Sequence, residues 1–242
     1  GMASPLDAAI RAARAAGEIQ RDGLRRPIIV KQQSAHDVKL QTDVACEERI
    51  RDLLQDAFPG YAFLAEEGGG AIAPDGPTWI VDPLDGTVNY SRRIPHFCVS
   101  IALRQAGEEV LGVVYDPIND ELFTAEAGGG ARLNGARIRV SETRHLRDAI
   151  VAVGSGKGPE IINRMAAHLR HLSINAKKVR IMGAAALDLA YVAMGRYDGF
   201  YECGLRTWDI AAGALFVREA GGRVEIFSAG DHAWDVRVDN GR

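Results

Sequence analysis

The spacing of apolar residues changes along the chain, and each spacing predicts a different kind of element. Near the N-terminus apolar residues recur every three or four positions, which predicts a helix that begins after Ser4 and a second helix from Thr42 to Ala57. Shorter runs of strand-forming residues follow, and Asn134-Gly135 between two of them is typical of a two-residue hairpin. Three consecutive runs predict an antiparallel meander: Phe97–Arg104, Val110–Tyr115 and Glu121–Ala125.

From residue 142 onward, strands and helices alternate. Each of three strand-like runs leads into a helix, and these helices are predicted to begin at Pro159, Gly183 and Thr207. Such a change of pattern predicts a domain boundary. We therefore expect an N-terminal α+β domain at residues 1–141 and a C-terminal α/β domain at residues 142–242.

Composition and charge narrow the class of protein. The 242 residues are 47% hydrophobic and 25% charged, which is typical of a globular protein. A net charge of -3, from 29 basic and 32 acidic residues, gives no electrostatic reason to expect a nucleic-acid or membrane partner. Cys46, Cys98 and Cys203 are widely spaced, and we expect buried free thiols. No apolar run is long enough to span a bilayer, and no signal-peptide pattern begins the chain, so a cytoplasmic location is expected.

The candidate chemistry is concentrated where the apolar run Trp79–Val81 ends in acids, a glycine and a hydroxyl. Pro83 is expected to end the pairing of this strand because it has no N–H to donate. Asp82 and Asp85 can then converge on one or two hard cations, with the Leu84 carbonyl as a third ligand. The alternative is a turn in which both aspartates cap the backbone.

Two further residues of this stretch favour anion binding. Gly86 allows the backbone to approach a bound group, and Thr87 is expected to be a helix N-cap whose following amides point at an anion. Farther along, the glycine-rich turn 154–158 resembles a phosphate loop but lacks the spacing of a nucleotide-binding motif. His168 and His171 share a helix without a third ligand, so a solvated helix face is expected there.

Other acids have a structural explanation beside a chemical one. Asp43 and Asp209 fall in the first turns of predicted helices, where a carboxylate offsets the helix dipole whether or not it has a catalytic role. Glu66-Glu67 end a short strand, and such pairs are usually only solvated. These residues by themselves leave both explanations open.

Four features follow one another along the chain: Glu66-Glu67, Asp82-Pro83-Leu84-Asp85-Gly86-Thr87-Val88-Asn89-Tyr90, Glu202 and Trp208-Asp209-Ile210-Ala211-Ala212-Gly213. Together they resemble the inositol monophosphatase family of magnesium-dependent, lithium-sensitive phosphatases, whose signatures are similar to D-P-[ILM]-D-G-T-x-N-[FY] and W-D-x-A-[AG]-[AG]. The resemblance implies a two-domain layered αβαβα sandwich with the active site in a cleft between the domains.

The resemblance also implies a role for each matching residue. Two or three Mg²⁺ ions are expected, the first held by Glu66, Asp82 and the Leu84 carbonyl, and the second by Asp82, Asp85 and Asp209. Asp43 and Thr87 would orient and deprotonate the attacking water, with Glu66 as a further catalytic group. The substrate side would be formed by Asp85, Gly86, Thr87, Ala185, Glu202 and Asp209.

The implied reaction is Mg²⁺-dependent hydrolysis of a small phosphorylated polyol, inositol monophosphate first, by a homodimer. Members of the family also act on histidinol phosphate, fructose 1,6-bisphosphate and 3'-phosphoadenosine 5'-phosphate, and some bacterial relatives associate with the transcription machinery and RNA. Arg206 stands where animal members have a histidine, which is similar to the bacterial branch, and Tyr90 replaces the commoner phenylalanine. Relatives continue into a further helix after the position of Arg242, so a truncated or a short member is expected.

Overall fold

The computed structural model describes residues 3–230 and 233–242. Within that part of the chain, no helix combines the length and the hydrophobicity that a membrane crossing needs. The first helix begins as predicted, because Ser4 Oγ accepts from the amide of Asp7 at 3.1 Å while the Asp7 carboxylate accepts from the Ser4 amide. The helices are α1 (Pro5–Gly23), α2 (Gln41–Ala57), α3 (Thr87–Ser91), α4 (Pro159–Asn175), α5 (Ala185–Ala193) and α6 (Thr207–Glu219).

The larger sheet has eight strands in the order β10-β9-β8-β7-β6-β5-β3-β4, and only the β3–β5 pair is parallel. Helices α1 and α2 cover Trp79, Val81 and Tyr115 on one face, while α5 and α6 pack against Ile80 and Phe123 on the other. The strands are β3 (Ala62–Ala65), β4 (Gly69–Gly70), β5 (Thr78–Asp85), β6 (Cys98–Gln105), β7 (Glu108–Asp116), β8 (Glu121–Glu126), β9 (Gly130–Leu133) and β10 (Ala136–Ile138).

The smaller sheet has five strands in the order β12-β11-β13-β15-β14, parallel across the first three and antiparallel across the rest. Phe200 and Val238 pack against α5 and α6, and Val153 packs against Met165 of α4 on the opposite face. The layers therefore alternate α, β, α, β, α, which confirms the predicted layered sandwich. The strands are β11 (Ile150–Val153), β12 (Lys178–Arg180), β13 (Gly199–Arg206), β14 (Arg223–Gly230) and β15 (Ala233–Asp239).

Several local predictions are confirmed. Strands β6, β7 and β8 form the antiparallel meander. Asn134 and Gly135 both have positive φ, 48° and 83°, as a two-residue hairpin turn requires. The larger sheet is built from residues 62–138 and the smaller from residues 150–239. The division into domains at residues 1–141 and 142–242 stays a prediction, and residues 1, 2, 231 and 232 lie outside the described part.

A small hairpin stands apart from both sheets. It pairs β1 (Val30–Gln33) with β2 (Val38–Leu40), and all four residues of β1 are exposed. Strand β2 leads directly into α2, so the hairpin approaches the residues at the N-terminus of that helix. The sequence predicts a loop or a mobile hairpin for residues 32–41; residues 32–40 belong to the hairpin, and Gln41 begins α2.

Candidate active site

The strand β5 extends farther than predicted. Its parallel pairing with β3 ends at Val81, but its antiparallel pairing with β6 continues through Pro83, with Asp82 opposite Ser100 and Asp85 opposite Cys98. The expectation that Pro83 ends the ladder is wrong, because the missing proline N–H falls within an irregularity where one extra residue is inserted. Residues three apart on a regular strand face opposite sides, so this insertion allows both aspartates to face the same side.

Asp209 reaches the same place from α6. It occupies the third position of that helix, and its carboxylate accepts from the Arg206 amide at 2.8 Å. Ligand oxygens of Asp82, Asp85 and Asp209 all lie within 4.8 Å of one another. Asp209 therefore caps its own helix and also joins the acids at the end of β5, so the dipole explanation and the metal explanation both apply.

Burial raises the pKa of all three aspartates, and the charge of Asp209 raises the pKa of Asp82 and Asp85 further. Burial first and the charge of Asp209 second raise the pKa of Asp85 to about 7. The pKa of Asp82 lies well above its usual value because of burial, then the charges of Glu66 and Asp85. A group of buried carboxylates that repel one another, with oxygen donors only, is suited to a hard divalent cation such as Mg²⁺. The residues present therefore fit the predicted metal.

Glu66 contacts this group but lies outside the trio within 4.8 Å. It follows the last residue of β3, and its carboxyl hydrogen-bonds to that of Asp82. Its pKa is raised well above the usual value, by desolvation first and by the charge of Asp209 second. The predicted ligand Glu66 is thus in contact with the predicted bridging residue Asp82.

Asp43, Thr87 and Leu84 form a second arrangement beside the acids. The Thr87 hydroxyl lies 2.9 Å from Asp43 Oδ1 and 2.9 Å from the Leu84 carbonyl oxygen, so its single proton is shared between two acceptors. Asp43 Oδ2 accepts from the Leu40 amide at 2.7 Å, which caps α2. Burial raises the pKa of Asp43 to about 7. A carboxylate that titrates near neutrality is suited to accept a proton during catalysis.

Gly86, not Thr87, is the N-cap of α3, so the prediction of Thr87 as N-cap is wrong. Gly86 has φ 89°, and a Cβ at that position would lie 2.9 Å from the His96 carbonyl oxygen. The left-handed backbone and the close approach both require glycine. Thr87 becomes the first helical residue, which points its hydroxyl at Asp43 and Leu84.

The predicted substrate side lies on α5 and β13. Ala185 is the first residue of α5 and is buried. Glu202 lies on β13, and burial, followed by the charges of Asp209 and Asp85, raises its pKa to about 8. Glu202 is therefore within electrostatic reach of two of the three aspartates, and its role in substrate binding stays a prediction.

The sequence missed two contacts of these residues. The Ala186 amide donates to Asp85 Oδ2 at 2.8 Å, which fixes the carboxylate from the neighbouring helix, and a backbone donor has no sequence signal. A Cβ at Gly154 would lie 1.2 Å from Glu202 Oε1, so only glycine leaves room for that carboxyl. The glycines of the turn 154–158 are a sequence signal for this second contact, because glycine allows another group to approach the backbone closely. The sequence by itself indicates only a resemblance to a phosphate loop in this turn.

The remaining predictions concern residues around the site. The three cysteines are buried and free, as predicted, and Cys98 Sγ lies 3.8 Å from Asp85 Oδ2. His168 and His171 are exposed on α4, which agrees with a solvated helix face. The structure thus brings Glu66, the three aspartates and Glu202 into one group, and the Asp43–Thr87 pair lies beside it.

Comparisons with known proteins agree with the family that the sequence motifs resemble. The family model described as "Inositol monophosphatase family" matches residues 2–240. The "Nus factor SuhB" of Salmonella typhimurium is 44% identical over 93% of this chain and 86% of that protein. The "Inositol-1-monophosphatase" of Rhizobium meliloti is 49% identical over 77% of this chain and 71% of that protein.

A solved structure agrees with these matches. The crystal structure of the extragenic suppressor protein suhB from Bartonella henselae superposes with a TM-score of 0.90 at 41% identity, covering 96% of this chain and 92% of that chain. The sequence match and the fold therefore extend over nearly the same residues. This chain belongs to the inositol monophosphatase family.

Proposed function

We propose that this protein is a Mg²⁺-dependent phosphatase that hydrolyses a small phosphate monoester, inositol monophosphate first. The observation that supports this most is the grouping of Asp82, Asp85 and Asp209 within 4.8 Å, next to the hydrogen-bonded pair of Asp43 and Thr87. A phosphate monoester is extremely inert in water, so an enzyme needs a positioned nucleophile and stabilisation of the transition-state charge. The two groups of residues match these two needs.

The acids would hold the cations. Glu66, Asp82 and the Leu84 carbonyl would bind one Mg²⁺, and Asp82, Asp85 and Asp209 a second. When bound, such ions supply charge stabilisation for the attacking and leaving oxygens and favour ionisation of the nucleophilic water. Such a metal site is consistent with membership of the inositol monophosphatase family. Both the identity of the ions as Mg²⁺ and their number are proposed here.

Asp43 and Thr87 would position the water and accept its proton. The Thr87 hydroxyl can donate to Asp43 Oδ1 while its lone pair accepts from a water molecule. Asp43, whose pKa is raised to about 7 by burial, would take the hydroxyl proton of Thr87 as Thr87 takes one from the water, so that the proton of the water is relayed to the carboxylate. The backbone amides of Gly86 and Thr87 would bind the phosphate oxygens. The scheme needs no covalent phospho-enzyme.

The substrate side favours a hydroxyl-bearing leaving group. Glu202 and Asp85 are acceptors that can bind polyol hydroxyls, with Ala185 beside them. Carboxylates would repel a second phosphate, so fructose 1,6-bisphosphate and 3'-phosphoadenosine 5'-phosphate fit less well, and histidinol phosphate is the closer alternative. The relative named "Inositol-1-monophosphatase" adds support for inositol monophosphate.

A panel of these four esters, assayed for phosphate release with and without Mg²⁺, tests the proposal. We expect Mg²⁺-dependent release with the highest kcat/KM for inositol monophosphate. A higher kcat/KM for another ester of the panel would refute the substrate, while equal turnover without Mg²⁺ would refute the mechanism. Asp82→Asn is the control for the metal site, since it removes the bridging charge at nearly constant volume.

A second candidate function is participation in transcription, because relatives 44% identical to this chain are named "Nus factor SuhB". The name of these relatives weakens the prediction that this protein has no nucleic-acid partner. The net charge of -3 still argues against direct RNA binding, so a protein contact is the form we favour. If Asp82→Asn abolishes phosphate release while cells show no phosphate-ester phenotype, the transcription role gains support.

A homodimer is the oligomeric state we propose. Val88 and Ile94 are 50% and 47% exposed around α3, next to the exposed Arg92 and Arg93. An apolar patch with arginines is typical of an interface. Sedimentation analysis of the wild type and of Ile94→Asp tests this, and a wild type that stays monomeric at all concentrations would contradict it.

A further inference from the structure

The side chain of Asn89 has no part in the proposed chemistry, yet it connects three segments of the chain. Asn89 lies in α3, near the end of the Asp82–Tyr90 motif, and is half-buried. Its Nδ2 donates to the His96 carbonyl oxygen at 2.9 Å and to the Met182 carbonyl oxygen, 93 positions away in sequence, also at 2.9 Å. A side-chain amide nitrogen carries two protons, so both are used.

The Met182 contact fixes the connection between β12 and α5, which is residues 181–184. Gly183, the next residue, has φ 82°, and a Cβ at that position would lie 3.2 Å from Asn89 Nδ2. Glycine permits both the left-handed backbone and this close approach. The backbone of the connection therefore packs on the Asn89 amide.

Helix α5 begins at the end of that connection and contacts Asp85. Ala186, the second residue of the helix, donates its amide to Asp85 Oδ2 at 2.8 Å. The first turn is closed by the Asp188 amide, which donates to the Ala184 carbonyl oxygen at 3.0 Å. Because only a few residues separate Met182 from Ala186, holding the Met182 carbonyl also holds the Ala186 amide in place.

The His96 contact acts on another neighbour of Asp85. A Cβ at Gly86 would lie 2.9 Å from the His96 carbonyl oxygen, so this carbonyl approaches both the Gly86 backbone and the Asn89 amide. Two residues farther along, Cys98 pairs with Asp85 across β6 and β5, and its Sγ lies 3.8 Å from Asp85 Oδ2. Asn89 therefore holds two segments, one leading to α5 and one to β6, whose groups contact the same carboxylate oxygen.

We propose that Asn89 is a positioning residue that fixes the orientation of Asp85 for cation binding. The inference rests on the proposed function, in which Asp85 is a ligand of the second Mg²⁺. With Oδ2 held by the Ala186 amide, the carboxylate keeps one orientation and its place in the group of ligand oxygens within 4.8 Å. Partners that orient a metal ligand in this way set the affinity of the metal site.

The alternative is that Asn89 only stabilises the fold, and Asn240 offers a matched control for that effect. Asn240 Nδ2 also donates to two distant groups, Ser141 Oγ at 3.0 Å and the Thr143 carbonyl oxygen at 2.7 Å. Neither Ser141 nor Thr143 belongs to the proposed site. Replacing either asparagine by leucine removes both donors at similar volume and adds no charge near the acids.

Calorimetric Mg²⁺ binding separates the two roles. Asn89→Leu should weaken Mg²⁺ binding about tenfold and raise, by a similar factor, the Mg²⁺ concentration for half-maximal phosphate release from inositol monophosphate. Its kcat at saturating Mg²⁺ should fall by less than its Mg²⁺ affinity. Asn240→Leu should lose thermal stability and keep the Mg²⁺ affinity of the wild type. An unchanged Mg²⁺ affinity in Asn89→Leu would refute the positioning role.

Hydrogen exchange in EDTA gives a readout that needs neither cation nor activity. Exchange of the Ala186 amide, followed by NMR, should be at least about tenfold faster in Asn89→Leu and unchanged in Asn240→Leu. Asn89→Ser, whose hydroxyl cannot bridge the two carbonyls, should give the same changes and serves if the leucine variant does not fold. Exchange of the Ala186 amide at the wild-type rate would refute the positioning role. If exchange responds but the wild type neither binds Mg²⁺ nor hydrolyses an ester, the proposed function fails and the positioning of Asp85 stands.

Discussion

Replacing Asp43 by asparagine separates the proposed base from its structural role. Asparagine has nearly the same shape, and its side-chain oxygen can still accept from the Leu40 amide, which lies 2.7 Å from Asp43 Oδ2. It cannot accept a proton from water. We therefore expect kcat to fall about 10²–10⁴-fold, the range for loss of a general base, with little change in KM.

The stability of the same variant should change with pH. Burial raises the pKa of Asp43 from 3.8 to about 7, so the folded protein keeps a proton that the unfolded chain has lost. Stability is therefore lost as pH rises from about 4 to about 7, by roughly 4 kcal/mol for a shift of about three pKa units in the metal-free protein. Asparagine avoids that cost but loses the charged partner of Thr87, worth about 1 to 3 kcal/mol. Above neutral pH, Asp43→Asn should therefore be about 1 to 3 kcal/mol more stable than the wild type.

Phosphate release between about pH 5 and pH 9, together with urea unfolding in EDTA, measures both effects. Asp116→Asn is the control, because Asp116 is also buried but accepts from the amides of Ile118 and Asn119 at 2.9 and 3.1 Å and touches none of the proposed site. It should lose stability and keep its kcat. The assignment of Asp43 as the base is refuted if Asp43→Asn keeps more than about a tenth of wild-type kcat.

Three further predictions follow from the geometry of the site. Gly86→Ala should lower stability by about 1 to 3 kcal/mol, since φ 89° and a close carbonyl oppose a side chain, and thermal unfolding measures this. Gly154→Ala should displace Glu202, whose carboxyl occupies the place of the new Cβ, and raise KM more than it lowers kcat; an unchanged KM would exclude Glu202 from substrate binding. In EDTA the melting temperature should fall as pH rises from about 4 to 7. The reason is that the pKa of Asp85 is raised to about 7 in the folded protein, so its ionisation is opposed there and not in the unfolded chain. Added Mg²⁺ should abolish that fall.

The sequence predicts some elements of the fold better than others. Regular spacing identified the helices and the meander, because those elements bury a periodic apolar face. The end of β5 was harder, since Pro83 normally ends a ladder and here falls in an irregularity that only the pairing with Ser100 and Cys98 defines. The prediction of Thr87 as the N-cap of α3 was wrong because the left-handed backbone of Gly86 makes Gly86 the N-cap and Thr87 the first helical residue.

For the site, the sequence indicated which residues carry the chemistry but not how they come together. Each acid was recognisable as a residue type, but its proximity to the others depends on how α6 packs against β5, which no local pattern specifies. Asp43 and Asp209 each turned out to cap a helix and to face the site, so neither of the two explanations offered by the sequence excluded the other. The hydrogen bond from the Ala186 amide to Asp85 depends wholly on tertiary contacts.

The central claim is that carboxylates from two distant parts of the chain form one metal site that supports phosphate ester hydrolysis. The most direct measurement is phosphate release from inositol monophosphate as a function of Mg²⁺ concentration, for the wild type and for Asp209→Asn, with calorimetric Mg²⁺ binding on the same samples. We expect saturable activation of the wild type, and weaker Mg²⁺ binding with activity at least about a hundredfold lower for the variant. Phosphate release by the wild type that persists in EDTA, or Mg²⁺ binding and activity unchanged by Asp209→Asn, would contradict the claim.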